Sequence, residues 1–257
     1  MKNRIYFFTG TGNSLKAAKE IAAELPDCEL VAIHKGMKSA IPVGYDRIGF
    51  VFPVYYLGPP AMVVDFIRSA DFGAQNDTYF FAVATYGGAL GAALPYMRDI
   101  LAERGVKLNY GAAVKMFANA VFKYNMSTKV EEKTRKSNER IAAIMPDIAA
   151  KKQNHTGSGI KLIRNTYMKE IAKVHYFDRK FNVSIDCVSC NICRDICPAK
   201  NINMANGRPV FQNRCECCLG CLHHCPKCAI NTEKTQSRRR YTHPEIGSKE
   251  IMRYYGL

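Results

Sequence analysis

Ten of the eleven cysteines in this chain lie close together, between Cys187 and Cys228. Eight of them form two runs with the spacing C-x2-C-x2-C-x3-C-P, and each cysteine of the second run follows its counterpart by 28 residues. The first run is Cys187, Cys190, Cys193 and Cys197, and the second is Cys215, Cys218, Cys221 and Cys225. Soft thiolate ligands in sets of four are what a [4Fe–4S] cube requires. The pattern therefore predicts two [4Fe–4S] clusters and the transfer of single electrons.

The fourth cysteine of each run has a special place in this prediction. In two-cluster proteins with this spacing, it binds the cluster of the other run. On that rule, cluster 1 is held by Cys187, Cys190, Cys193 and Cys225, and cluster 2 by Cys215, Cys218, Cys221 and Cys197. Two alternatives fit less well, because zinc sites favour separated C-x2-C pairs and a disulfide framework needs an oxidising compartment.

Four other side chains in or near the runs could act on a cluster. Cys217 and Cys228 lie outside the repeated pattern, and His223 and His224 lie within the second run. Either cysteine could replace a ligand, although a small, partly buried side chain is the simpler interpretation. The histidines could tune a cluster, but solvated surface histidines are the favoured interpretation. Cys28 is expected to be a core residue at the start of a strand.

A second candidate site lies near the N-terminus, where a hydroxyl-rich glycine loop follows an apolar strand and opens a helix. The loop consists of Thr9, Gly10, Thr11, Gly12, Asn13 and Ser14. Backbone N–H groups at a helix N-terminus bind phosphate with the help of the helix dipole. The P-loop pattern needs a lysine and the dinucleotide pattern needs a third glycine, which Leu15 replaces. The loop therefore predicts a monophosphate site, with a plain strand–turn–helix connection as the alternative.

Two further loops follow the third and fourth predicted strands. The first contains Pro53, Val54, Tyr55 and Tyr56, and the second contains Thr85, Tyr86, Gly87 and Gly88. In an open parallel sheet, ligands bind at the carboxyl ends of the strands near the switch point. The three tyrosines could flank a planar ring there, with ordinary packing as the alternative for each of them.

The elements that position these loops alternate between strand and helix patterns. Strands are predicted at 4–9, 29–34, 47–52, 78–84 and 108–116, and helices at 13–25, 60–68 and 90–104. Such alternation indicates an α/β fold, a doubly wound parallel sheet covered by helices on both faces. A polar helix is predicted over 127–153, and Asn206-Gly207 predicts a hairpin inside the cysteine-rich segment.

The loop from Thr9 to Ser14 resembles the FMN-phosphate loop of flavodoxins, and residues 183–232 resemble bacterial-type 2[4Fe–4S] ferredoxins. A flavodoxin-like segment followed by a ferredoxin-like segment resembles the flavodoxin–ferredoxin fusions of anaerobic microbes. The resemblance implies a flavodoxin-like sheet of order 2-1-3-4-5 that binds FMN, followed by a small α+β 2[4Fe–4S] ferredoxin-like domain. The expected domains are 1–153 (FMN-binding), 154–181 (a basic linker with a helical connector from Ile160), 182–232 (ferredoxin) and 233–257 (a basic tail).

The charge of the chain bears on its partners. The formal net charge is +15, and residues 121–257 hold 25 of the 37 Lys and Arg but only 12 of the 22 Asp and Glu. This excess of positive charge predicts an acidic redox protein (a ferredoxin or flavodoxin) or a reductase as partner. Nucleic acid is disfavoured because no recognition helix is evident. The run Lys161 to Lys180 is either a solvated face or a docking patch, and a homodimer stays open.

Neither export nor a membrane span is expected. The N-terminal apolar stretch is too short for a signal peptide. Thr78–Met97 is long enough to span a bilayer, but it divides into a strand, a glycine loop and a helix start. The protein is therefore expected in the cytoplasm.

The function predicted from these motifs is electron transfer between a low-potential donor, two [4Fe–4S] clusters and FMN. An FMN-dependent reductase of a small substrate, fed by its own ferredoxin domain, is the alternative. A cluster-bearing regulator or nucleic-acid binder is a third interpretation. No side chain in the loops is identified as catalytic.

Overall fold

Five parallel strands form the sheet in the first half of the chain. The computed structural model describes residues 2–37, 40–75, 77–159 and 161–256. The strands read as near-continuous apolar runs because helices on both faces bury both sides of a parallel sheet. They are β1 (Asn3–Phe7), β2 (Cys28–Ala32), β3 (Arg47–Pro53), β4 (Tyr79–Tyr86) and β5 (Tyr110–Lys115). Their order is β2-β1-β3-β4-β5 with every neighbouring pair parallel, so the predicted flavodoxin-like order is confirmed.

Four helices cover the two faces of this sheet. They are α1 (Asn13–Ala23), α2 (Ala61–Ser69), α3 (Ala93–Ala102) and α4 (Val130–Ala149). Helices α2 and α3 share a core with Tyr6 of β1, and α1 and α4 share the opposite core with Ile5. Helix α4 has a largely polar sequence because only one stripe of it faces the sheet. That stripe is formed mainly by Ile141, Ile144 and Ile148.

The stretch Thr78–Met97, long enough to span a bilayer, divides into β4, a glycine loop and the start of α3. No helix within the described residues combines the length and apolar character that a bilayer crossing requires.

The predicted connector packs closely on the sheet domain. It contains α5 (Lys161–Ile171) and a 3-10 helix (Val174–Lys180), while Ile160, its predicted first residue, lies outside the described residues. The Tyr167 ring is buried, and its hydroxyl donates a 2.8 Å hydrogen bond to the carbonyl of Pro59. A Cβ on Gly58 would lie 2.4 Å from this ring, so glycine is what allows the close approach. The connector is therefore a fixed part of the structure.

The cysteine-rich segment forms short antiparallel pairs and two single-turn helices. They are β6 (Asn182–Val183), α6 (Ile192–Asp195), β7 (Ile202–Ala205), β8 (Arg208–Phe211), α7 (Gly220–His223) and β9 (Ile230–Asn231). Strand β6 pairs with β9, and β7 pairs with β8. The predicted hairpin at Asn206-Gly207 is confirmed, with φ of 48° and 74° at its two turn residues.

The 28-residue repeat of the sequence also appears in the backbone. Left-handed φ values occur in pairs with the same displacement: Ser189 and Cys217, Asn191 and Leu219, and Lys200 and Cys228. Cys217 and Cys228 thus occupy turn positions that Ser189 and Lys200 fill in the first copy. This register places both cysteines outside the repeated ligand pattern.

The C-terminal segment, expected to be a basic tail, instead packs against the sheet domain through α8 (Ser248–Tyr254). Ile246, Ile251 and Tyr255 join the core of α1 and α4, and ion pairs link Lys16 to Glu245 and Lys19 to Glu250. The charged residues obscured this in the sequence, because the apolar residues between them are few and irregularly spaced.

Candidate functional site

The predicted phosphate loop is buried at the start of α1. Gly12 caps the helix with a left-handed φ of 97°, and no side chain caps it. Within the described residues, the backbone N–H groups of Asn13, Ser14 and Leu15 have no hydrogen-bond partner, although all three residues are buried. Buried helix N-termini need partners for these donors. The loop therefore fits an anionic oxygen group such as a phosphate.

All three hydroxyl groups of the loop form hydrogen bonds, one within the loop and two with neighbouring segments. Thr9 Oγ1 accepts the Gly12 N–H at 3.1 Å, and Ser14 Oγ lies 2.8 Å from Thr85 Oγ1. Thr11 Oγ1 accepts a 2.6 Å hydrogen bond from Asn119 Nδ2. Thr85 and Asn119 thus bring the ends of β4 and β5 to the loop.

The C-terminal segment covers the same loop from outside. The Tyr255 hydroxyl donates to the Thr9 carbonyl at 2.6 Å, and the Tyr241 hydroxyl donates to Asn13 Oδ1 at 2.8 Å. The His243 N–H donates to the Thr11 carbonyl at 2.8 Å. Residues more than 200 positions away therefore complete the surroundings of the loop.

A cavity with an atom-free volume of about 840 Å³ lies at the carboxyl edge of the sheet. Four segments line it: Val54–Leu57, Gly87–Ala89, residues 118–124 except Val121, and Cys217–Leu219. Of the predicted loop residues, Val54, Tyr55, Tyr56, Gly87 and Gly88 line the cavity. Pro53, Thr85 and Tyr86 lie in β3 and β4 and do not line it, and none of the phosphate-loop residues from Thr9 to Ser14 is among its lining residues.

Two contributors to this cavity were missed in the sequence. One is the loop after β5, from which Asn119 links the cavity to Thr11 of the phosphate loop. It carries no recognisable motif, but the carboxyl end of a fifth strand belongs at the same edge of the sheet. The other is Cys217–Leu219, which only the packing of the two halves brings there.

The turn at Tyr56 and Leu57 is strained. Their φ values are 51° and 74°, a region that bulky residues rarely adopt. Tyr55 and Gly58 exchange two 2.9 Å backbone hydrogen bonds around them. The turn presents the Tyr56 hydroxyl to Cys217, with a 3.4 Å hydrogen bond to Sγ. Such strain concentrates at functional sites.

Two smaller cavities lie in the cysteine-rich segment, and four predicted ligands line each of them. The first has an atom-free volume of about 360 Å³ and is lined by Cys187, Cys190, Cys193 and Cys225. The second has about 350 Å³ and is lined by Cys215, Cys218, Cys221 and Cys197. In each case three cysteines come from one run and the fourth from the other.

The thiols fit a cluster better than a single ion. Within the described residues, no three His, Cys, Asp or Glu side chains are grouped closely enough to hold one metal ion. A cube separates its ligands more widely, because each thiolate binds a different iron. Backbone N–H groups reach three of the sulfurs, those of Cys197, Cys215 and Cys225, at 3.2–3.3 Å.

Burial opposes the deprotonation of these thiols. It raises the pKa of Cys193 to about 11, and it raises the pKa values of Cys215 and Cys221 well above the ordinary range. Cysteine binds metals as the thiolate, so iron would have to offset this penalty. The sulfur ligands, their grouping and the cavities together fit two cubes.

The cavity at the sheet edge and the second cysteine cavity adjoin each other. Cys218 and Leu219 line both. A Cβ built on Gly10 would lie 2.3 Å from the Cys218 carbonyl oxygen, which shows how closely the phosphate loop and the second run approach. The structure thus brings the two predicted sites together.

Of the two histidines of the second run, His223 is buried and His224 is half-buried, so the favoured interpretation of solvated surface residues is wrong. His223 is 4% exposed; its Nε2 lies 2.9 Å from the Asn119 carbonyl, and its Nδ1 accepts the Tyr241 N–H. Burial lowers the pKa values of His223 and His224 to about 4. The loop after β5 and the C-terminal segment cover His223, and the sequence did not indicate this packing. Cys28 begins β2 as expected, but it is half-buried and packs against the core instead of lying within it.

Residues 4–121 match a family model described as a flavodoxin domain, which shows a flavodoxin-like domain over slightly less than half of the chain. No curated protein matches the chain.

Several solved structures resemble it. A Fusobacterium nucleatum flavodoxin bound to flavin mononucleotide is 16% identical, with 60% of this chain and 100% of that chain covered and a TM-score of 0.41. A flavoprotein from Lactobacillus acidophilus in complex with FMN is 16% identical, with 44% and 92% covered and a TM-score of 0.34. An FMN-dependent NADH-azoreductase from Bacillus anthracis in complex with FMN is 8% identical, with 58% and 99% covered and a TM-score of 0.40. All three TM-scores are below 0.5.

Proposed function

We propose that this chain is an iron–sulfur flavoprotein that carries electrons between two [4Fe–4S] clusters and an FMN. One observation carries the proposal most directly: Cys218, a predicted ligand of cluster 2, also lines the cavity at the sheet edge. When bound, the clusters pass single electrons and the flavin stores one or two. The protein supplies placement and electrostatics.

In this proposal the N-terminal loop holds the FMN phosphate. The buried, unpartnered N–H groups of Asn13 and Ser14 supply donors, and the same loop carries the hydroxyls of Thr9, Thr11 and Ser14. The ring system occupies the cavity lined by Tyr55, Tyr56 and the glycine loop. The match of residues 4–121 to the flavodoxin domain supports this assignment.

The chain's own residues keep the two redox sites close and dry. Cluster 2 would lie among buried Cys215, buried Leu219 and half-buried Phe181, all of which line its cavity. Glu216 Oε2 accepts the N–H of Met62 in the first turn of α2 at 3.0 Å, so the cluster loop is tied to the sheet domain. Free thiols and clusters suit a reducing compartment, and we place the protein in the cytoplasm.

A second candidate function is an FMN-dependent reduction of a small substrate. It is favoured by the opening of the flavin cavity at Lys123 and Tyr124, which are both exposed. A substrate that enters there would reach the cavity without displacing the C-terminal segment. Reoxidation of the pre-reduced protein by candidate substrates under argon distinguishes this activity from transfer to another protein.

The phosphate loop can be tested by comparing FMN with riboflavin, which lacks the phosphate. We expect wild-type apoprotein to bind FMN at least about 100-fold more tightly, because charge-assisted hydrogen bonds to phosphate are each worth about 1.5–3 kcal/mol. Ser14→Ala should weaken FMN binding about tenfold and leave riboflavin binding unchanged. Quenching of flavin fluorescence measures both affinities. Equal affinity of wild-type protein for the two flavins would contradict the assignment of the loop.

A further inference from the structure

The connector exposes a strongly basic face. Its cations are Lys161, Lys169, Lys173, Arg179 and Lys180, and all five side chains are exposed. Within the described part of the chain, none of the five forms an ion pair. The two acids of the segment offset little of this charge, because Glu170 is half-buried and Asp178 is buried against Asn201 and Asn213.

Apolar side chains accompany these cations. Leu162 is 74% exposed, Met168 42% and Tyr176 52%, which makes them three of the eight large apolar residues exposed in the described structure. The opposite side of the connector is anchored, since Tyr167, Val174 and Phe177 are buried. Exposed apolar groups among unpaired cations are typical of a surface that another molecule covers.

The location of this face connects it to cluster 2. His175 and Cys215 exchange contacts, with the Cys215 N–H donating to the His175 carbonyl at 3.1 Å and His175 Nδ1 lying 3.1 Å from the Cys215 carbonyl. Tyr176 lines a groove of about 1280 Å³ atom-free volume that Glu216 and Arg214 also line. Glu216 also lines the cavity of cluster 2. A molecule on the basic face that enters this groove would therefore lie beside the cluster, in a groove that shares no lining residue with the flavin cavity.

We infer that the basic face of the connector docks an acidic electron-carrier protein that exchanges electrons with cluster 2. This inference rests on the proposed function and names its partner. Complementary charge selects and orients such a partner, and the three exposed apolar side chains supply apolar contact area. A membrane surface fits less well, because the apolar side chains are few and alternate with cations instead of forming a continuous stripe.

The test uses the holoprotein and, as probe, a purified acidic bacterial ferredoxin with two [4Fe–4S] clusters. Calorimetric titration compares wild-type protein with the double variant Lys173→Glu/Lys180→Glu. The matched control is Lys2→Glu/Lys249→Glu, which changes the net charge equally. Both control residues are exposed; Lys2 precedes β1, and Lys249 lies in α8, which packs on the opposite core from the connector.

We expect the connector variant to bind at least about tenfold more weakly and the control to change by less than about threefold, because close charges dominate over distant ones at a Debye length of about 10 Å. Equal weakening in both variants, or no binding by wild-type protein, would overturn the inference. So would tighter binding to phosphatidylserine vesicles than to the ferredoxin. Because binding is measured without electron transfer, iron and flavin analysis of the same samples judges the proposed function separately.

Discussion

Replacing Cys225 by alanine is expected to remove cluster 1, although Cys225 belongs to the second cysteine run. The reason is geometric, since Cys225 lines the same cavity as Cys187, Cys190 and Cys193. A cube is held by four thiolates, so the loss of one weakens its attachment. Iron should fall from about eight to about four atoms per chain, and Cys197→Ala should have the same effect through cluster 2.

Pairs of substitutions distinguish this exchange from the simpler arrangement in which each run holds its own cube. Cys225→Ala combined with Cys187→Ala affects one cluster and should leave about four irons. Cys225→Ala combined with Cys215→Ala affects both clusters and should leave almost none. The reverse pattern would show that the fourth cysteines are not exchanged. Cys228→Ala is the matched control, because this exposed cysteine lines neither cavity and should leave the iron content unchanged.

Gly10→Ala is expected to lower the free energy of unfolding by about 1–3 kcal/mol or more, the usual range for overpacking. Its new Cβ would meet the backbone oxygen of Cys218 at 2.3 Å, and backbone yields less readily than a flexible side chain. The same displacement would separate the phosphate loop from the cluster 2 loop. FMN affinity and the rate of electron exchange with cluster 2 should therefore fall together.

Gly247→Ala is the control for this variant. A Cβ at Gly247 meets nothing within 4 Å, and its φ of −81° is open to any residue. Its free energy of unfolding should fall by only about 0.5–1 kcal/mol, because alanine is a poorer helix N-cap than glycine. Anaerobic urea denaturation measures both variants. If Gly10→Ala is as stable as Gly247→Ala and retains FMN, there is room for a methyl group between the phosphate loop and the cluster 2 loop. That result would contradict the close contact between them.

The local patterns of the sequence predicted most of the fold. Apolar strands between amphipathic helices indicated the parallel sheet, and the Asn206-Gly207 pair indicated the hairpin, because both signals depend on residues near in sequence. The C-terminal helix α8 was missed since its apolar contacts, such as Ile251, lie among charged residues. Burial of His223 was also missed, because the residues that cover it are about 100 positions away at Asn119 and 18 away at Tyr241.

In the candidate site, too, the features that depend on residues near in sequence were predicted, and those that depend on distant residues were not. The cysteine spacing and the glycine loop each carried a local signal, whereas the contact between them depends on how two separate segments pack. Gly10 and Cys218 are over 200 residues apart, and the sequence alone left open whether the flavin meets a cluster within one chain or across a dimer. Residues of the loop after β5, such as Asn119, had no motif to mark them.

The central claim is that flavin and clusters exchange electrons within one chain. The most direct measurement is an anaerobic stopped-flow experiment in which the holoprotein is reduced by a sub-stoichiometric one-electron donor. Absorbance and rapid-freeze EPR then follow flavin and clusters in the same samples, over a tenfold range of protein concentration. We predict about one FMN and about eight irons per chain, with an exchange rate between them that does not change with concentration. A rate that rises in proportion to protein concentration, or a protein that carries only one of the two cofactors, would contradict the claim.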